Sequence, residues 1–126
     1  MVGWFFRSAP CGVITFIAGT MIDIDHFLDF YLHQPFTLNL KKIYAAHESR
    51  VLPKAYIILH SYELFAALWL AIYFFSLGRY WQAAAIGFTQ HFILDIITNP
   101  VHTLGYFLTY RAIKKFRSDL ILKEKD

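Results

Sequence analysis

Residues 55–98 read AYIILHSYELFAALWLAIYFFSLGRYWQAAAIGFTQHFILDIIT. The first part, 55–77, is apolar over the roughly 20 residues that carry a helix across a hydrocarbon core. Gly78-Arg79 forms a tight turn, and residues 80–98 return until Asn99-Pro100. Proline ends the helix there because it lacks a backbone donor and clashes with the preceding turn. Tyr80 and Trp81 stand where an interfacial aromatic belt belongs. The stretch therefore predicts a helical hairpin sunk in a membrane.

Composition extends that reading to the whole chain. Of 126 residues, 57% are apolar, 19% aromatic and 17% charged, against about 25% charged in ordinary soluble domains. Mean hydropathy is +0.42. These values exclude disorder, fibrous repeats and most soluble enzymes. A single cysteine, Cys11, excludes a disulfide framework or a thiolate zinc finger within the chain. The expected fold class is all-α: a polytopic helical membrane protein of three to four apolar helices around the central hairpin 55–98.

A third apolar helix is expected over residues 10–33, with Ser8 and Pro10 at its start. Only residues 9–22 of it are free of charge, so its last third, from Asp23, should emerge into polar surroundings. Residues 34–54 read as a polar connection. Residues 101–118 read as a last helix, apolar and then basic, that spans in part or lies along the interface. Two regions follow: a helical membrane domain, 1–110, and a basic tail, 111–126.

The net charge of +3 belongs entirely to that tail. Residues 1–110 carry six basic and six acidic side chains, whereas 111–126 carry Arg111, Lys114, Lys115, Arg117, Lys123 and Lys125 against Asp119, Glu124 and Asp126. A basic cluster directly after an apolar helix suits membrane lipid with anionic head groups. No nucleic-acid motif accompanies it, so no nucleic-acid partner is expected. Lys41, Lys42, Arg50 and Lys54 in the connection, with the tail, assign that side to the cytoplasm. The first residues then lie outside with no leader ahead of them, which implies a helix missing before Met1.

Every acid before the tail lies within five residues of a histidine. An acid at the centre of a membrane helix costs on the order of 2.5–3.5 kcal/mol, so this clustering implies a shared purpose. On a helix, His60 and Glu63 share one face, as do His91 and Asp95. His60 lies 18 residues before Gly78 and Asp95 lies 17 after it. At about 1.5 Å per residue the two match in depth, and Glu63 matches His91 to within roughly 3 Å. The two pairs are thus expected to meet near the cytoplasmic end of the hairpin.

Asp23 and His26 add donors from the third helix. Asp25 points about 200° from Asp23 on a regular helix, so either the helix loosens there or only one of the two binds directly. Asp29 is placed to orient a ligand. His33, His47 and His102 read as loop or interfacial residues, and Arg50 as a loop arginine with the capacity to grip phosphate.

Neutral imidazole with carboxylate is the donor set of zinc, manganese or iron. The candidate metal ligands are Asp23, Asp25, His26, His60, Glu63, His91 and Asp95. One or two divalent ions would suit hydrolysis of an ester, above all a phosphate ester, with Glu63 or Asp25, whichever does not bind metal, as general base. Three other classes use the same residues. They can glue helices together without catalysis, or His60 and His91 can ligate a haem. They can also form a proton or ion path, which with so few helices requires a homo-oligomer.

Ile22-Asp23-Ile24-Asp25-His26, then His60-Ser61-x-Glu63, then His91-x-x-x-Asp95 with Asn99 following, resembles the bacterial membrane-bound metal-dependent hydrolases of the YdjM-like group. The resemblance covers residues 17–110. It implies a multi-helix inner-membrane protein with a divalent-metal site at Asp23, Asp25, His26, His60, His91 and Asp95. Three family features differ here. An opening helix with an early histidine is missing, Met21-Ile22 replaces the usual proline, and His47-Glu48-Ser49-Arg50 stands for a His-Arg-Gly loop.

Overall fold

The computed structural model describes residues 7–48, 52–99 and 101–122, with the side chains of His47 and Glu48 left out. The readings placed on Met1, His47, Glu48, Arg50, Pro100, Lys123, Glu124, Lys125 and Asp126 lie outside the described residues and side chains.

The described chain is helical and contains no strand. Its helices are α1 (Ala9–Met21), α2 (Ile24–His33), α3 (Leu40–Glu48), α4 (Tyr62–Phe74), α5 (Arg79–Thr98), α6 (Leu108–Ile113) and α7 (Ser118–Ile121), with a 3-10 turn over Thr103–Tyr106. They form two compact units. One comprises Met1–Ile22 with Glu63–Thr98, and the other Asp23–Tyr62 with Asn99–Asp126.

In the first unit α1 packs along α5, and small residues make the approach close. A Cβ added at Gly87 would stand 2.2 Å from the Thr15 carbonyl oxygen. The Thr15 hydroxyl is 2.9 Å from both the Cys11 and Ala83 carbonyl oxygens, so one donor serves its own helix and its neighbour. Trp69 on α4 donates its indole N–H to the Thr89 hydroxyl at 3.1 Å, and Phe65 packs on Phe92. Outward, Phe16, Tyr73, Phe74, Phe75 and Ile97 are exposed.

The second unit has a small core of Phe30, Ile43, Ala46 and Leu52 between α2 and α3, flanked by Phe27 and Tyr31. The expected polar connection 34–54 therefore contains a helix, α3, and its apolar residues close this core.

Three expected helices are redrawn. Residues 10–33 divide into α1 and α2 at Ile22-Asp23. The span expected over 55–77 begins only at Tyr62, because the backbone before it is bonded elsewhere. The Ala55 N–H donates to the Phe116 carbonyl at 2.8 Å and the Leu59 N–H to Asp25 Oδ2 at 2.8 Å. The helix expected over 101–118 becomes the 3-10 turn, α6 and the start of α7. Lys115 and Phe116 take positive φ, 53° and 57°, which ends α6 and returns the chain toward Pro53, whose carbonyl accepts from the Ser118 N–H at 3.3 Å.

By length and composition, only Ala9–His33 among the described helices is apolar enough to cross a membrane, and 33% of its most apolar window is buried. α4 is apolar but has 13 residues. α5 has 20 but carries Arg79, Gln82, Gln90, His91 and Asp95. The two full spans expected in the hairpin are therefore not present as such.

Candidate metal centre

The break at Ile22-Asp23 organises the acids of the second unit. Asp23 is the N-cap of α2, yet its carboxylate makes no cap hydrogen bond. It accepts instead from the Tyr44 hydroxyl of α3 at 3.3 Å. Asp25 sits one step into α2, in its first turn, where a negative charge is favoured by the helix dipole. Because the helix loosens at this point, the 200° separation of a regular helix no longer applies. Both carboxylates approach the same imidazole, that of His60.

The two faces of contact are distinct. His60 Nδ1 lies 3.2 Å from Asp25 Oδ1 and 3.3 Å from Oδ2. A carboxylate only accepts, so the proton of that bond is on Nδ1. His60 Nε2 then faces Asp23 Oδ1 at 3.6 Å. The same oxygen stands 3.9 Å from His26 Nε2. The two rings are tilted, with centroids 4.8 Å apart. His60 is 3% exposed, and Asp25 and His26 are 8% exposed. Asp25, His26 and His60 form a group whose donor atoms all lie within 4.8 Å, as a metal ion requires.

His60 is held there by a residue from far along the chain. The Arg111 guanidinium, 2% exposed, donates to the Tyr56 carbonyl at 3.0 Å and also to the carbonyls of Ile57 and His60. Between them Ile57 has a φ of 24°. That conformation is unusual for a β-branched residue and costs on the order of 1–3 kcal/mol unless its surroundings enforce it. Beside His26, His60 and Arg111 lies a half-open pocket of about 30 Å³, enough for one or two waters.

The remaining candidates are placed differently. The prediction that His60 and Glu63 share a helix face is overturned, since His60 precedes α4 and Glu63 lies in its first turn. Glu63 is half-buried and belongs to the first unit. His91 and Asp95 do share one face of α5, with Nε2 3.3 Å from Oδ2, and also belong to the first unit.

Asp29 is buried, and His33 Nδ1 donates to its backbone carbonyl at 2.9 Å while lying 3.9 Å from Oδ1. The His102 side chain accepts from the Leu104 N–H at 3.3 Å, a local cap. Tyr44 and Arg111 were not among the sequence candidates. Tyr44 carries no signal beyond a polar side chain in an expected connection. Arg111 looked like the first residue of a basic tail.

Fold and site together define an all-helical protein with a buried His/Asp cluster able to take a metal ion. No family model, curated protein or solved structure matches the chain.

Proposed function

We propose that this chain is a multi-pass protein of the bacterial inner membrane. In this reading it holds a divalent metal ion through Asp23, His26 and His60, with zinc favoured, and uses it to hydrolyse an ester, foremost a phosphate ester. The observation that carries the metal reading is the setting of His60. One ring nitrogen donates to Asp25, and the other turns its acceptor side toward the Asp23 oxygen that His26 also approaches. A carboxylate oxygen facing two ring nitrogens is a donor set that a divalent cation takes.

The spacing suits zinc. Four ligands at 2.0–2.1 Å in a tetrahedron stand about 3.3 Å apart, and the Asp23 oxygen lies 3.6 and 3.9 Å from the two ring nitrogens. Three protein donors leave a fourth position, as in catalytic sites. A bound divalent ion supplies a hydroxide-forming water and neutralises charge developing on phosphate.

The chain's own groups have separate tasks. Asp25 orients His60 and fixes its tautomer, as carboxylates behind metal-bound histidines do, and Tyr44 steadies Asp23. The exposed aromatic and aliphatic faces of the first unit, and the outward-turned Ala9–His33, favour lipid as their surroundings. The motif resemblance favours hydrolysis over transport or haem binding.

Elemental analysis of detergent-purified protein tests the reading. The wild type is expected to hold about one ion per chain, lost in His60→Ala of unchanged helicity. Metal-free protein that takes up no added zinc, manganese or iron would overturn it.

A further inference from the structure

We infer that Arg111 is a positioning residue for the metal centre, acting through the backbone of residues 56–60. The inference rests on the metal reading just given. The Arg111 guanidinium donates to the carbonyls of Tyr56, Ile57 and His60, the last being the carbonyl of the imidazole-bearing residue itself. Guanidinium suits this task because its donors lie in one rigid plane. Three carbonyls that a helix would have used within itself are drawn to one point, and the chain between them bends through the positive φ of Ile57.

That bend sets where the His60 ring lies. Two residues on, the Leu59 N–H is bonded to Asp25 Oδ2, and Asp25 in turn holds His60 Nδ1. Arg111 on one side and Asp25 on the other thus fix residues 56–60 at both the carbonyl and the amide edge. Released from Arg111, the segment is free to continue α4 toward its N-terminus, since 55–59 is apolar and α4 already begins at Tyr62. The His60 ring would then leave the Asp23 oxygen that it faces at 3.6 Å.

Lysine keeps the charge but not the fork, and methionine keeps only the approximate bulk. Full-length wild type, Arg111→Lys and Arg111→Met are compared in detergent by zinc titration and by the nitrogen-15 signals of the His60 ring without metal. Arg111→Lys is expected to bind zinc at least tenfold more weakly than wild type, at unchanged stoichiometry and helicity. Arg111→Met is expected to weaken binding further, with His60 in both variants losing the fixed Nδ1–H tautomer. His60 signals and zinc affinity unchanged in Arg111→Lys would overturn the inference. If Arg111→Met fails to fold, Arg111→Lys alone decides. Wild type that binds no zinc would sink the metal reading, while an altered His60 tautomer in Arg111→Lys would still uphold the positioning role.

Discussion

At the residue scale the centre depends on which nitrogen of His60 carries its proton. Asp25 settles this by standing 3.2–3.3 Å from Nδ1. Asp25→Asn keeps the shape but offers an amide group in place of one acceptor oxygen, so the ring loses its fixed orientation. Zinc affinity is expected to fall about 10–100-fold, the usual effect of removing a carboxylate behind a ligating histidine, as read by competition with a chromophoric chelator. Unchanged affinity would assign Asp25 a purely structural role. Tyr44→Phe removes a single 3.3 Å hydrogen bond to Asp23. It should weaken zinc binding by a smaller factor in the same assay, and an effect larger than that of Asp25→Asn would reverse the ranking of the two supports.

At the element scale, α5 was legible from its boundaries. Gly78 before it and Asn99-Pro100 after it bracket Arg79–Thr98, and spacing alone places His91 and Asp95 on one face. The segment 55–61 was not legible. Its composition is that of a membrane helix, but its backbone partners are Asp25, Arg111 and Phe116, which lie 34 to 61 residues away. Periodicity within a window carries no trace of such partners, so His60 was placed on the wrong kind of backbone even though its chemistry was recognised. The break in the helix at Ile22-Asp23 was legible only as a conflict, two acids of one motif pointing apart.

The α1–α5 contact yields a sharper test, because a methyl at Gly87 would fall 2.2 Å from a backbone oxygen that cannot rotate away. Gly87→Ala gains helix propensity yet should lower stability by about 1–3 kcal/mol, the range for overpacking. Thermal unfolding in detergent measures this, and an unchanged or raised midpoint would mean that α1 and α5 are not held this closely.

At the scale of the whole molecule, the excess positive charge is not all in a free tail. Arg111 is buried, and Arg117 forms a two-point pair with Asp119 at 3.1 and 2.7 Å. That hydrogen-bonded carboxylate raises the guanidinium pKa above its ordinary value, so Arg117 stays charged and paired. Lipid attraction at this end is therefore weaker than the count of basic residues suggests. In the membrane reading, apolar contact then has to supply most of the affinity. Alkaline extraction of membranes containing the protein should accordingly leave it in the pellet, and release of folded chain into the aqueous phase would refute the membrane reading.

The two units are also interleaved along the sequence. The first has all its residues once Thr98 is made, but the second requires Asn99–Asp126 as well. Arg111 comes 51 positions after His60. At a synthesis rate of about 5–20 residues per second, roughly 3–10 s pass before the guanidinium that shapes the His60 segment exists. During that interval Asp23, Asp25, His26 and His60 are all present without their clamp. A nascent chain would thus offer zinc a loose set of ligands first and a shaped site only near the end of its synthesis.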